Sequence, residues 1–159
     1  MTSDRIQASG LIHRNHLALI GIMDISSRPG VGGRIFSALG DQGINIELIV
    51  HLIDLEQEDH VVLCVDRDEL EGALAVLEAI KEEVGAEAIT NDPEVASISL
   101  FGLDFRAQHS VASRMCQALG SCNINIHAIS TSLSTITCVI EAQRLDDAIQ
   151  VLRKTFTLD

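Results

Sequence analysis

An internal repeat is the feature of this amino-acid sequence that most limits the folds it can adopt. When the 159-residue sequence is shifted against itself by 80 positions, Ala38-Leu39-Gly40 falls on Ala118-Leu119-Gly120. In the same register, Ile44-Asn45-Ile46 falls on Ile124-Asn125-Ile126. Matches of this length in one register indicate two copies of a single structural unit.

The spacing between the copies shortens to 74 or 75 residues in the second half of each, where Cys64-Val65 pairs with Cys138-Val139. The polar run Glu56-Gln57-Glu58-Asp59 lies just before this slip. A hairpin turn that is shorter in the second copy explains the slip, and we expect all four residues of this run to be solvated.

Each copy is predicted to contain two helices and several strands. Apolar residues at helical spacing predict one buried stripe on the first helix of each copy. Gly43 and Asn123 follow these helices, and both residue types tolerate the left-handed backbone conformation that ends a helix. The stripes are Val31, Ile35 and Leu39, and Val111, Met115 and Leu119; the predicted strands are 17–22, 44–50 and 61–65, and 98–101, 124–129 and 136–140.

Strand counting predicts that one copy is inserted in the other. The first copy has a fourth strand at 86–90, which Asn91-Asp92-Pro93 is expected to end, whereas the second copy stops without one. The apolar residues 6–12 belong to no element of the first copy, and we expect them to complete the second sheet. The predicted fold class is α+β, with two ferredoxin-like βαββαβ domains, one inserted in the other. The predicted boundaries are 15–93 for the inserted domain and 1–14 plus 94–159 for the other.

Charge and composition argue against several kinds of partner. The chain carries 23 acidic and 11 basic residues, for a formal charge of −12, which argues against nucleic acid and anionic membranes. No apolar run reaches membrane-spanning length, and the N-terminus lacks the apolar core of a signal peptide. Four cysteines stand singly and are expected to be reduced core residues of a cytoplasmic protein.

No residue pattern predicts catalysis, a cofactor or a metal. The run Gly30-Val31-Gly32-Gly33 lacks the Lys-Ser/Thr that would follow in a phosphate loop. His13 and His16 are expected to be surface histidines with no third metal ligand, while His51 and His127 are as consistent with a structural role as with a functional one. A small enzyme on a ferredoxin-like fold stays an alternative, without a nucleophile–base pair to support it.

Four segments of the sequence resemble the tandem ACT regulatory region of aspartate kinases. The most specific is 124–132, which reads Ile-Asn-Ile-His-Ala-Ile-Ser-Thr-Ser. The resemblance covers nearly the whole chain and implies the same insertion of one ACT domain in another. It also implies a homodimer that binds threonine or lysine between ACT domains and inhibits an aspartate kinase catalytic partner. The Lys-Phe-Gly-Gly-Thr-Ser-type motif of the kinase catalytic domain is absent from this sequence. The other segments are 6–12 with Asn15, 27–31 and 44–49.

The resemblance implies an effector site at the start of the first helix. A helix N-terminus offers unpaired N–H groups and positive dipole character to the carboxylate of an amino acid. Proline presets the helical entry there, and glycine permits close backbone approach. The implied residues are Ser27, Pro29, Gly30, Gly32, His51, Asn125 and Ile126. Asp24 is expected to replace an acid that the family has at this site. A second, lysine-type locus is implied at Glu47, Thr131 and Ser132.

The chain departs from the family pattern at three positions. The family has an acid where Ser27 stands, a glutamine at His51 and a glutamate at Leu133. Two hypotheses follow. One is a non-catalytic sensor of threonine, lysine or a related small amino acid that modulates a kinase. The other is a degenerate ACT assembly module that dimerises or docks a partner without binding an effector.

Overall fold

The computed structural model of the chain describes residues 5–102, 104 and 109–159. No helix within this part is long and apolar enough to cross a membrane. The strands are β1 (Gln7–Ala8), β2 (Gly10–Ser26), β3 (Leu48–Ile53), β4 (Glu58–Asp66), β5 (Ala86–Phe101), β6 (Ala128–Thr131), β7 (Thr135–Glu141) and β8 (Thr157–Leu158). The helices are α1 (Val31–Asp41), α2 (Leu70–Val84), α3 (Val111–Ser121) and α4 (Leu145–Thr155), and short 3-10 turns, Arg67–Glu69 and Ala142–Arg144, precede α2 and α4.

The chain divides into two compact units. We call His16–Glu94 the inserted unit, and Met1–Asn15 with Val95–Asp159 the flanking unit. The division falls within β2 and β5, so each of these long strands contributes residues to both units. Each unit contains a βαββαβ repeat, and the predicted α+β fold class is confirmed.

The inserted unit is built on strands in the order β3-β4-β2-β5. Strand β4 runs antiparallel to both β2 and β3, with Leu63 opposite Ile20 and Ile49. Because alternate residues of a strand share a face, one face of β4 is apolar and packs with the buried stripes of α1 and α2. The core includes Ile20, Ile22, Val31, Ile35, Leu39, Val61, Leu63, Val65, Ala73 and Leu77.

The flanking unit repeats this arrangement with the strand order β2-β5-β7-β6. Strand β7 is antiparallel to β5 and β6, with Cys138 opposite Ile98 and Ile129. The N-terminal strand β1 pairs in parallel with β8, so that Gln7 lies opposite Thr157. The core includes Ile98, Leu100, Val111, Met115, Leu119, Ile136, Cys138, Ile140, Leu152 and Phe156.

The structure corrects the register predicted for the second half of the repeat. The Glu47 N–H donates to the Cys64 carbonyl at 2.8 Å, and the His127 N–H donates to the Val139 carbonyl at 2.8 Å. Glu47 and His127 are equivalent by the 80-residue shift, so Cys64 corresponds to Val139 and not to Cys138. The copies are therefore 75 residues apart from the hairpin onward, and the two cysteines occupy different positions of the repeat.

The segments after α1 and α3 are helix caps, and the prediction that strands begin at 44 and 124 is wrong. Gly43 and Asn123 have the predicted left-handed backbone, with φ of 71° and 61°. The N–H groups of Ile44 and Ile124 donate back to the last turn of each helix at 3.1 Å, as in a Schellman motif. Because of this bond, the Ile-Asn-Ile segment of each copy belongs to the helix cap, and the following strands begin at Leu48 and Ala128.

Other predicted breaks are absent from the structure. Residues 91–93 lie within β5, where the Glu94 N–H donates to Asp92 Oδ1 at 3.0 Å beside the proline that lacks an N–H. Strand β2 likewise continues without a break from Gly10 to Ser26, past the apolar segment 6–12. After α4, Phe156 is extended with ψ of 151° and leads into β8, a strand that the sequence did not predict.

Candidate functional site

Helix α1 of the inserted unit begins without a side-chain cap. Its N-cap residue is Gly30, which has a left-handed φ of 95°, and no acidic residue lies in the first turn. The first bond into the helix runs from the Arg34 N–H to the Gly30 carbonyl at 2.9 Å, so the N–H groups of Gly32 and Gly33 precede it. These N–H groups and the positive end of the helix dipole can receive an anion such as a carboxylate.

Two arginines lie near the start of α1, and both donate hydrogen bonds to Glu83 at the end of α2. Arg34 donates from Nε and Nη2 to the two Glu83 carboxylate oxygens at 2.6 and 2.9 Å, and Arg28 donates to the Glu83 carbonyl. The hydrogen bond with Arg34 lowers the pKa of Glu83 and raises the pKa of Arg34. The Arg34–Glu83 pair is exposed, so it adds little to the stability of the fold, and the Arg28 contact joins the turn before α1 to the end of α2.

His51 on β3 lies between the start of α1 and Asp59 on β4. A Cβ atom built on Gly32 would lie 3.5 Å from both Cε1 and Nδ1 of His51. On its other side, the His51 Nε2 lies 3.1 Å from Asp59 Oδ2. The Asp59 side chain is buried, whereas that of His51 is 34% exposed. The structure thus places two of the predicted site residues, Gly32 and His51, beside each other, with Gly30 as the N-cap of the same helix.

Sequence reasoning missed Asp59, which it placed in a solvated hairpin turn. The turn lies earlier: Asp54 Oδ1 accepts the N–H groups of Glu56 and Glu58, and Gln57 has a left-handed φ of 64°. Asp59 is already the second residue of β4 and only 3% exposed. The signal that could have found it is the alternation that places position 59 on the same face as Val61.

Asp24, expected to replace a missing acid at the effector site, lies at a bulge in β2. It has a left-handed φ of 51°, and its N–H donates to Nδ1 of His60 at 3.2 Å. The His60 Nε2 lies 2.9 Å from Asp54 Oδ2; this hydrogen bond raises the pKa of His60 and lowers that of Asp54. Desolvation raises the pKa of Glu58, and the neighbouring Asp24 carboxylate adds to this effect. These contacts tie Asp24 to the β3–β4 hairpin.

The remaining predicted residues are mostly exposed. In the inserted unit, Ser27 and Pro29 lie in the turn before α1. Burial raises the pKa of the Cys64 thiol to about 12, and the charge of the nearby Glu47 adds to this effect. In the flanking unit, Ile126 is half-buried, and the other three predicted residues are exposed: Asn125, Thr131 and Ser132.

His16 has two acidic neighbours that the sequence did not suggest. Its Nε2 lies 2.8 Å from Asp68 Oδ1, and one ligand atom each of His16, Asp66 and Asp68 fall within 4.8 Å of one another. The sequence spacing of His13 and His16 did not place these two acidic residues beside His16. His16 and Asp68 are exposed, as expected for a surface histidine and its ion-pair partner.

Comparison with known proteins assigns the two repeats. A sequence profile of the ACT domain matches residues 17–80 and 98–156. The chain belongs to the ACT domain family. Its sequence is 32% identical to aspartate kinase Ask_LysC of Stutzerimonas stutzeri over 151 residues, which are 95% of this chain and 37% of that protein. An aspartokinase of Thermus thermophilus is 31% identical over 144 residues, 89% of this chain and 35% of that one. The chain thus spans just over a third of the length of these curated relatives.

Solved structures of aspartate kinase regulatory subunits have the same tandem ACT fold. The regulatory subunit of aspartate kinase from Thermus thermophilus, in a ligand-free form, superposes with a TM-score of 0.84 at 28% identity, covering 94% of this chain and 98% of that one. A structure of aspartokinase alpha and beta subunits gives a TM-score of 0.86 at 27% identity, covering 95% and 99%. The resemblance to the aspartate kinase regulatory region is confirmed.

Proposed function

We propose that this chain is the amino-acid-sensing regulatory part of an aspartate kinase. Its effector is threonine, lysine or a related small amino acid, and it acts in the cytoplasm as a homodimer that modulates a kinase catalytic partner. The tandem ACT fold and the likeness to aspartate kinase regulatory subunits support this role. The chain itself supplies no catalytic residue in this proposal.

The uncapped start of α1 is the observation that carries the proposal. Its free N–H groups suit the effector carboxylate, and His51 adds a polar ring beside them. Gly32 leaves room there, because a Cβ at this position would already be in van der Waals contact with His51. Four further effector contacts stay predictions that rest on the resemblance alone: Asn125, Ile126, Thr131 and Ser132.

Thermal unfolding with each amino acid in turn, threonine and lysine first, tests the proposal. A ligand at a hundred times its dissociation constant adds about 2.7 kcal/mol to the stability of the folded state. We expect Gly32→Leu, which fills the space beside His51, to abolish the response. Ala112→Leu places the same side chain at the equivalent position of α3 and should keep it.

A second variant, Asn125→Ala, tests the contacts taken from the resemblance. We expect it to abolish the stabilisation by the amino acid while the unfolding transition without ligand stays that of the original chain. A response of unchanged size in Asn125→Ala would exclude Asn125 from the effector site. An unchanged response in Gly32→Leu would exclude the start of α1.

Exposed apolar residues favour assembly without an effector as the second candidate function. Leu55 at the β3–β4 hairpin is fully exposed, and Leu133 at the β6–β7 hairpin is 85% exposed. Ile53, next to the first of these hairpins, is also exposed on β3, which lies at the edge of its sheet. Exposed apolar residues on an edge strand favour association with another chain. An intact dimer that responds to no amino acid would favour this module over the sensor.

A further inference from the structure

Asp59 lies on a face of β4 that is otherwise apolar. Among the described residues it is the one charged or polar residue that is buried, and it shares a face of β4 with Val61 and Leu63. Its neighbours in register on the adjacent strands are Ile25 and Ile53. Burying a carboxylate among apolar groups is unfavourable unless every oxygen finds a partner.

The Asp59 carboxylate is only half satisfied. Oδ2 lies 3.1 Å from the His51 Nε2, whereas Oδ1 is buried and has no hydrogen-bond partner within the described part of the chain. A valine or leucine on this face would avoid that cost, so stability does not account for the aspartate. The hydrogen bond of Asp59 with His51 therefore indicates a role other than stability.

The contact with Asp59 determines which nitrogen of His51 faces the start of α1. An ionised carboxylate only accepts hydrogen bonds, so Nε2 carries the proton that is donated to Asp59. In the neutral ring, Nδ1 then keeps a lone pair, and Nδ1 is on the edge that lies 3.5 Å from the Cβ position of Gly32. Carboxylates orient histidine ligands of metal sites in the same way.

We propose that Asp59 is a positioning residue for effector recognition, which fixes His51 so that Nδ1 accepts the α-ammonium group of a bound amino acid. The carboxylate of the same amino acid, one backbone unit from its ammonium group, accepts hydrogen bonds from the N–H groups of Gly32 and Gly33. The positive helix end thus faces the carboxylate, and the negative Asp59 stabilises the ammonium through the imidazole ring. This inference rests on the proposed function and adds its chemical specificity: a zwitterion is preferred to a carboxylate that lacks the amine.

The flanking unit offers an internal comparison for this arrangement. His51 pairs with Val61 in the inserted unit, and Thr131 pairs with Ile136 in the flanking unit, so Thr131 is the equivalent of His51. By the same count Ser134 corresponds to Asp59, but it lies in the β6–β7 turn, just before β7. Thr131 and Ser134 are both neutral and exposed, so this ammonium-binding pair belongs to the inserted unit alone.

Titration calorimetry with matched probes tests the proposal. The probes are threonine against 3-hydroxybutyrate, and lysine against 6-aminohexanoate, since the second of each pair lacks the α-amine. We expect the original chain to bind at least one amino acid more than tenfold tighter than its amine-free partner. Asp59→Asn should reduce that preference to less than threefold. His51→Gln combined with Asp59→Asn should cause little further loss, because the two residues act as one unit.

Asp59→Val separates a positioning role from a structural one. It removes the half-satisfied carboxylate, so we expect an unfolding midpoint in denaturant equal to or above that of the original chain, together with loss of the amine preference. A matched control, Ser134→Val, should leave both quantities unchanged.

Three results would overturn the proposal and leave amino-acid sensing intact. They are an undiminished amine preference in Asp59→Asn, equal binding of both members of each probe pair by the original chain, and unfolding of Asp59→Val. If the original chain binds neither threonine, lysine nor any other amino acid, the proposed function itself fails, before any variant is compared.

Discussion

The inserted and flanking ACT units share their core but differ at the start of their first helix. Leu39 and Leu119 are fully buried at equivalent positions. At the helix start, however, Gly30 and Gly32 of the inserted unit correspond to Ser110 and Ala112 of the flanking unit. The two copies thus share the apolar pattern that folds each unit, whereas they differ in the residues at the start of the first helix.

The ends of these helices show a smaller difference. Both end in the same cap, but in the flanking unit Arg144 donates to the carbonyls of Cys122 at 2.8 Å and Asn123 at 3.3 Å. The equivalent residue of the inserted unit is Glu69, which offers no donor. The flanking unit thus has an additional side-chain brace at the end of α3, where a cation also complements the helix dipole.

The shared core predicts the largest effect and an equal one in both units. Leu39→Ala and Leu119→Ala each remove a fully buried side chain, and each should lower the free energy of unfolding by about 3 kcal/mol. Denaturant unfolding followed by circular dichroism measures this loss. A difference above about 2 kcal/mol between the variants would show that the two cores are not energetically equivalent.

The helix caps predict a smaller and unequal effect. Gly43 has a left-handed φ of 71° with nothing within 4 Å of its Cβ position, so Gly43→Ala adds torsional strain without a clash and should cost about 1 kcal/mol. Asn123→Ala should cost about half as much, because asparagine already bears part of that strain. The same denaturant series measures both variants. A larger loss for Asn123→Ala would show that its side chain has a further role.

The fold was predictable from the sequence because repetition amplifies weak signals. The spacing of Val31, Ile35 and Leu39 predicts an amphipathic helix, and its recurrence in the second copy fixes the assignment. The register of the later strands was not predictable, because Cys64 matches Cys138 by identity, whereas the hydrogen bonds from Glu47 and His127 show that Val139 is its equivalent in the repeat. A one-residue slip in a strand is hidden when both faces carry apolar residues.

The candidate site was predictable in part. Pro29, Gly30 and Gly32 form a recognisable helix-entry turn, and the resemblance pointed to His51. The polar run Glu56-Gln57-Glu58-Asp59 predicts a single turn, whereas Asp54 closes the turn earlier and Asp59 already lies in β4. The alternation with Val61 places position 59 on the buried face of β4, but the acidic residues before it favour a solvated turn, and its contact with His51 follows only from strand pairing.

Amide hydrogen exchange with and without a saturating amino-acid effector tests the central claim most directly. The claim is that the effector carboxylate binds the start of α1 in the inserted unit. We predict that the effector slows exchange of the Gly32 and Gly33 N–H groups and leaves those of Ala112 and Ser113 unchanged. Binding that protects Ala112 and Ser113, or that leaves Gly32 and Gly33 as fast as before, would contradict it.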